Sequence, residues 1–233
     1  MKLTIVVPCY DEAENIPLIL ERFDEVVQNY NVEVILVNNG SRDNSAQVLE
    51  ELLPGYTFAR TVLVPVNKGY GYGIMQGLKE ADGDYIGWTH ADMQTDPKDV
   101  ITAFEIIQKS GRDNLFVKGN RKGRPIFDNI FTNGMSIYES IYFGTKMNDI
   151  NAQPNIFPKS FFELWENPPY DFSLDLYAFY TARKAGLEIV RFPVLFPKRI
   201  HGESKWNNEG FTSKKKFIKR TLDFSKELKR GLK

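Results

Sequence analysis

The residue order predicts an α/β fold, a mostly parallel central sheet with helices on both faces. Three observations carry that prediction. Short β-branched or aromatic runs alternate with helix-period stretches from Leu3 to Lys118, the pattern of parallel strands joined by right-handed crossovers. The strand-like runs end in polar clusters, above all after Trp88, where an open parallel sheet holds its ligands. The 233 residues, 42% hydrophobic and 26% charged, suffice for one sizeable globular domain.

Leu3–Val7 is a β-branched strand. Asn15–Tyr30 places Ile16, Ile19, Phe23, Val26 or Val27, and Tyr30 at helical spacing, with Pro17 in the first turn where its missing N–H costs nothing. Glu33–Val37 is a second strand. Asn38-Asn39-Gly40-Ser41 turns, and Asp43 or Asn44 caps a helix over Ser45–Leu53. Thr61–Val66 is a third strand, Tyr70–Ala81 a helix despite Gly71 and Gly73, and Tyr85–Trp88 a fourth strand. Asp96-Pro97 reads as an N-cap and first-turn pair opening a helix over Pro97–Ser110, and Asn114–Lys118 is a fifth strand. The alternation then loosens. Asn129–Phe143 reads as helix, Asp149–Pro158 as polar loop, Ser173–Ala185 as a helix stopped at Gly186, and Glu188–Phe196 as a strand pair broken by Pro193. With no repeat and no flexible linker, residues 1–210 read as one domain and 211–233 as a basic amphipathic helix.

The formal net charge is zero, so the whole chain offers no argument for a nucleic-acid partner. The charge is uneven, however. Residues 211–233 hold nine Lys or Arg against Asp223 and Glu227, a net +7 that the rest of the chain balances. A single cysteine, Cys9, excludes an internal disulfide and reads as a small packed residue; this fits a reducing compartment. No apolar run approaches the roughly 20 residues that span a bilayer, and Leu3–Val7 is too short for a signal segment.

Five motifs carry chemistry. Tyr85–Trp88 stops in Thr89, His90, Asp92 and Gln94, a set suited to a hard metal ion carrying phosphates. The first strand ends in Val7-Pro8-Cys9-Tyr10-Asp11-Glu12, aromatic and acidic groups able to hold a base and a ribose, or a charged first helical turn. Asn38 and Asn39 carry amides able to read a base edge, or form a turn and cap. Asn67 to Gly73 is a glycine-rich loop without the Walker arrangement. Arg199 and Lys205 flank a Gly-containing loop, suited to a leaving diphosphate or simply solvated. A sugar-1-phosphate nucleotidyltransferase would need a glycine-rich loop with Arg and Lys where VVPCYDEAEN stands. A dinucleotide dehydrogenase would need Gly-x-Gly-x-x-Gly there.

In order, VVPCYDEAENI, VNNGSRDNS, NKGYGYG, HADMQTDP and RIHGESK resemble the family-2 glycosyltransferases of GT-A fold, most of all the dolichyl-phosphate mannosyltransferase-like branch. The resemblance covers Lys2 to Asn207 and is loose between Asn120 and Asp171. It implies a nucleotide-binding half over 1–119 and an acceptor-side half over 120–210. Pro8, Tyr10, Glu12, Asn38, Asn39, Gly40, Lys68, Gly69, Ala91 and Asp92 would then line the nucleotide pocket. Asp92 and Gln94, with His90, would hold a divalent metal, Mn2+ or Mg2+. Arg121 and Arg124 stand near where that branch keeps arginines for acceptor or donor phosphate. Arg199, Ser204 and Lys205 match its closing loop over the diphosphate.

Three departures stand out. His90 replaces the first aspartate of the metal motif, and imidazole suits manganese better than magnesium. Asn39 stands where an aspartate usually meets the base, which leaves UDP and GDP donors both open. The segment Asp149 to Asn155 differs from the usual acceptor segment. The implied activity is inverting transfer of a sugar from a nucleotide-diphosphate sugar to a polyprenyl phosphate. The alternatives are a hydroxyl of a growing surface glycan, or a nucleotide-sugar-binding protein with impaired catalysis. A phosphate acceptor needs no base; a hydroxyl acceptor does, and Asp175 is the candidate. Phe217, Ile218, Thr221, Leu222, Phe224, Ser225, Leu228 and Leu232 set an apolar stripe against the cations of the tail. That stripe suits docking on its own domain, a second copy, or an anionic lipid surface. The expected location is the cytoplasm, or the inner face of the cell membrane if the tail meets lipid.

Overall fold

The computed structural model of the chain describes residues 1–123, 126–197, 199, 201 and 210–231, without the side chains of 126–131, 210–217 and 231. Its strands are β1 (Leu3–Cys9), β2 (Val32–Asn39), β3 (Ala59–Val64), β4 (Tyr85–Trp88), β5 (Leu115–Lys122), β6 (Asn155–Pro158) and β7 (Glu188–Leu195). They form one sheet in the order β3-β2-β1-β4-β6-β5-β7. The helices are α1 (Asn15–Val27), α2 (Ser45–Leu52), α3 (Tyr70–Glu80), α4 (Pro97–Ser110), α5 (Ile126–Phe143), α6 (Lys159–Phe162), α7 (Leu174–Lys184) and α8 (Gly210–Gly231).

Each face of the sheet buries its own apolar layer. Leu3, Ile5, Val7, Val34 and Leu36 pack against α1 and α4 on one side. Val6, Ile35, Val37, Trp88 and Phe116 pack against α3 and α7 on the other. The two-residue period of the strands thus serves both layers, and helices on both faces are borne out. The glycines of α3 allow its close approach: a Cβ on Gly77 would lie 2.4 Å from Val6 and one on Gly73 2.7 Å from Asn39. The Asp96 cap also holds, its carboxylate accepting from Lys98 N at 2.9 Å ahead of Pro97.

Two expectations are corrected. Asp149–Pro158 is not all loop, because Asn155–Pro158 is a fully buried strand running antiparallel between β4 and β5. Its apolar part is only two residues long, Ile156 and Phe157, too short to show alternation. It pairs so closely with β4 that a Cβ on Gly87 would stand 2.0 Å from the Asn155 carbonyl oxygen. Glu188–Phe196 is not a broken pair but one strand, parallel to β5 and running through Pro193. Only the edge position of β7 makes that residue tolerable, since proline cannot donate to a ladder.

The tail helix docks on its own chain. Ser225 is fully buried and its hydroxyl lies 2.8 Å from both Glu139 Oε1 and the Thr221 carbonyl; Leu228 is also buried. Phe224 packs against the α3/α7 layer, and Lys229 donates to the Tyr142 carbonyl. Arg220 pairs with Asp171 at 3.1 Å. The middle of the apolar stripe is therefore spent within the chain, with Lys219, Lys226 and Arg230 facing outward. The Phe217 side chain and Leu232 lie outside the described residues.

Glu139 makes this docking pH-dependent. Burial pushes its carboxyl up to about 7 from an ordinary 4.5, with the Ser225 hydroxyl opposing. The folded state holds the proton more tightly, so the contribution is full below about 4.5 and is lost as pH rises through about 7. Glu139→Gln is expected to melt higher than the parent at pH 8, the gap closing toward pH 4.5 in thermal denaturation. A gap independent of pH contradicts the buried carboxyl.

Candidate active site

Parallel pairing brings the carboxyl ends of β1, β2 and β4 side by side, with Cys9 opposite Asn38 and Val6 opposite Trp88. The loops that follow converge there. After β4 the chain turns through buried Thr89, whose hydroxyl lies 3.1 Å from that of Thr95 and closes the loop. Met93 takes φ +56, the left-handed conformation costly for a side-chain-bearing residue. That turn aims Asp92 and Gln94 to the same side, and Gln94 N donates to Asp92 Oδ1 at 3.1 Å.

Asp92 is only 4% exposed. Its Oδ2 meets the Arg199 guanidinium at 2.7 Å, Arg199 Nε donates to Gln94 Oε1 at 3.2 Å, and Gln94 Nε2 donates to the Pro197 carbonyl at 2.9 Å. The late loop is thus fastened to the strand end that the sequence paired it with. Glu12 joins them. Burial raises its carboxyl pKa, the Asn15 amide at 2.6 Å opposes that, and the charges of Asp92 and Arg199 act on it in opposite senses. Burial lowers the pKa of His90, which keeps its imidazole neutral and competent as a nitrogen ligand.

The first two loops are laced together. Ser41 Oγ accepts from Asp11 N at 3.1 Å, Asp11 Oδ1 from Arg42 N at 2.7 Å, and Ser45 Oγ from Glu12 N at 3.0 Å. Arg42 lies over the Tyr10 ring at 5.7 Å, and Pro8 is half-buried at the end of β1. Asn38 and Asn39 are 4% and 2% exposed. Asn38 Oδ1 accepts from Ser41 N at 3.1 Å and closes the turn, while Asn39 Nδ2 donates to the Gly69 carbonyl at 3.0 Å and ties the glycine-rich loop to it. Asn39 Oδ1 is buried with no hydrogen-bond partner among the described residues. Gly40, at φ +70, is needed where a Cβ would stand 2.4 Å from Asn67 N. Lys68 lies over the Tyr72 ring at 5.1 Å. Ala91 is buried beside Asp92. In the glycine-rich loop, Gly69 and Gly71 admit the chain's own backbone, since Cβ atoms there would stand 2.2 and 2.6 Å from the carbonyl oxygens of Tyr170 and Pro169.

At the end of β5, Arg121 grips Asp149, Nε to Oδ1 at 2.9 Å, while Arg121 N reaches Oδ2 at 2.7 Å. A cavity of about 60 Å3 opens beside it, lined among others by Ser136, Asn151, Phe172, Ser173 and Thr221. Asp175 is 2% exposed, its Oδ1 accepting from Gln153 Nε2 at 2.8 Å and Asn155 Nδ2 at 3.0 Å; burial raises its pKa and the Lys118 charge opposes the rise. Lys118, Gln153, Asn155 and Tyr70 escape the sequence reading as site residues. The available signal was a lysine ending the apolar run Leu115-Phe116-Val117. Arg124, Ser204 and Lys205 lie outside the described residues.

Among the described residues no three His, Cys, Asp or Glu side chains cluster as a self-sufficient metal site. One buried carboxylate, a neutral imidazole and the Gln94 carbonyl fit a divalent ion that arrives with a diphosphate supplying oxygens.

A family model described as Glycosyl transferase family 2 matches residues 4–175. The chain is similar to a protein named dolichol-phosphate mannosyltransferase from Pyrococcus furiosus, 26% identical over 241 residues, covering 100% of this chain and 67% of that protein. It is also similar to an undecaprenyl-phosphate 4-deoxy-4-formamido-L-arabinose transferase from Proteus mirabilis, 37% identical over 105 residues, covering 42% of this chain and 31% of that one. The chain thus spans two thirds of the archaeal relative and under a third of the bacterial one. Among solved structures it matches glucosyl-3-phosphoglycerate synthase from Mycobacterium tuberculosis in complex with Mn2+, UDP and glucosyl-3-phosphoglycerate. The TM-score is 0.72 at 18% identity, over 96% of this chain and 79% of that one.

Arg199 holds the Asp92 oxygen that an ion would need. Arg199→Ala is therefore expected to bind Mn2+ about tenfold more tightly without nucleotide, the size of one lost charge-assisted hydrogen bond, in water-proton relaxation titrations. Unchanged or weaker binding contradicts an ion site at Asp92.

Proposed function

The chain belongs to glycosyl transferase family 2, and from that premise, with its GT-A type fold, we propose that it transfers a sugar, with inversion, from a nucleotide-diphosphate sugar to a polyprenyl phosphate. The observation that carries this reading is the Asp92–Arg199 pair at the carboxyl end of β4. A buried carboxylate and a partly exposed guanidinium meet where a parallel sheet presents its ligands. Arg199 can exchange Asp92 for a diphosphate oxygen and offset the charge that grows as the nucleotide leaves. Lys205 and Ser204 complete that loop in this reading. Tyr10, Glu12 and the turn at Asn38-Asn39-Gly40 hold the nucleoside, with Lys68 and Gly69 at its edge.

A divalent ion, Mn2+ or Mg2+, would be held by Asp92 with Gln94 and His90, and when bound supplies charge neutralisation at the diphosphate. The neutral nitrogen of His90 favours Mn2+. Arg121 and the cavity beside Asn151 and Ser173 form the acceptor side in this reading, to which the resemblance adds Arg124. A phosphate acceptor is already anionic and attacks without a base. A hydroxyl acceptor would need Asp175, whose burial under two amides supports the phosphate instead. The names of the archaeal and bacterial relatives, which refer to dolichol phosphate and undecaprenyl phosphate, point the same way. Such an acceptor puts the reaction at the inner face of the cell membrane.

Donor hydrolysis and transfer, measured over a panel of UDP-, GDP- and dTDP-sugars with and without Mn2+, tests the assignment. Asp92→Ala is expected to lower both by about 100-fold or more, the scale of losing a group that stabilises developing charge. Full activity in that variant would sink the reading.

A further inference from the structure

Beneath the site lies a sealed polar relay that the reaction as described does not use. Lys118, Gln153, Asn155 and Asp175 are 0%, 0%, 1% and 2% exposed. A buried ammonium is costly, and an apolar side chain of the same volume often serves stability as well or better. Burial indeed lowers the pKa of Lys118 to about 7, against the pull of Asp175. Its retention within β5 asks what it orients.

The hydrogen bonds answer in sequence. An ammonium only donates. Lys118 Nζ lies 2.6 Å from the Ala152 carbonyl and 2.5 Å from Asn155 Oδ1, which fixes the Asn155 amide with its nitrogen turned away. That nitrogen donates to Asp175 Oδ1 at 3.0 Å and to Gln153 Oε1 at 2.6 Å. Gln153 is fixed in turn, and its Nε2 donates to Asp175 Oδ1 at 2.8 Å and to the Tyr70 hydroxyl at 3.1 Å. Tyr70 is therefore an acceptor from Gln153, with Trp88 and the Asp175 charge also beside its hydroxyl, and its own proton is left to serve one further acceptor. Its ring stands 6.2 Å from that of His90 and stacks at 4.7 Å on Phe172, which itself lines the cavity beside Arg121. Burial and the charge of Asp175 push the phenol's pKa up, so the donor proton stays in place.

We propose that Lys118 is a positioning residue that acts through Asn155 and Gln153 to hold the Tyr70 hydroxyl as a hydrogen-bond donor to a substrate oxygen bound between His90 and Phe172. The proposal rests on the transfer reading above and adds two residues that reading does not assign.

The test is a double-mutant cycle on the full chain, with kcat, donor KM and thermal midpoint measured for Lys118→Met, Tyr70→Phe and the pair. Each single change is expected to lower kcat about tenfold or more with donor KM within about twofold, and the pair is expected to be no slower than the slower single, as for groups acting as a unit. A Lys118→Met enzyme with parental kcat, or losses that multiply, overturns the proposal. If Lys118→Met fails to fold for want of a partner to Asp175, Lys118→Met/Asp175→Asn removes both charges and takes its place in the cycle. A crystal structure of whichever variant folds gives a reading independent of activity. The Gln153–Tyr70 hydrogen bond is expected to be lost, and its survival overturns the proposal even if the parent is inactive. A parent that transfers from no nucleotide sugar defeats the transfer reading alone.

Discussion

The ion pair between Asp92 and Arg199 is the interaction on which the site depends. It joins the end of β4 to a loop 105 residues downstream of Gln94, and Gln94 doubles the joint through Arg199 and Pro197. Without it the acidic strand end and the basic loop would be separate surface features. With it, a buried carboxylate is balanced by a partly exposed cation. The strained Met93 turn and the Thr89–Thr95 closure serve the same geometry, because they hold both donor atoms on one side of the loop.

Behind that pair, the sheet is arranged to carry polar groups inside. β6 runs against the direction of its neighbours and delivers Asn155 into the gap between Lys118 and Asp175. The Gly87 and Gly119 positions permit the approach, since side chains there would strike the carbonyl oxygens of Asn155 and Gln153. The centre of the sheet thus holds a hydrogen-bonded cluster of Lys118, Gln153, Asn155 and Asp175, whereas the loops after β1 and β2 are joined by backbone-to-side-chain hydrogen bonds.

How much of this was legible in the sequence follows from the range of the forces involved. The first four strands and their helices were readable because alternation, Pro97 and the Asp96 cap are local signals. β6 was missed because two apolar residues cannot display a period, and β7 was split because Pro193 is excluded from strands except at an edge, which only the sheet order reveals. The structure brings Asp92, Gln94 and Arg199 together, and only five motifs in family order pointed to all three; no spacing brings residues 105 positions apart together. The tail was readable as amphipathic, but the partner of its stripe was not, since Glu139 and Tyr142 lie on a helix some eighty residues earlier. Lys118 was invisible as a site residue because its meaning depends on two amides from a segment that reads as loop.

In the proposed reaction a nucleoside diphosphate with its metal ion displaces Arg199 from Asp92. The most direct measurement is a crystal structure with Mn2+ and UDP or GDP, with the ion located from its anomalous signal. The account predicts the ion within coordination distance of the Asp92 carboxylate and the Arg199 guanidinium moved onto a phosphate oxygen. An ion bound elsewhere, with Arg199 still paired to Asp92, would contradict it.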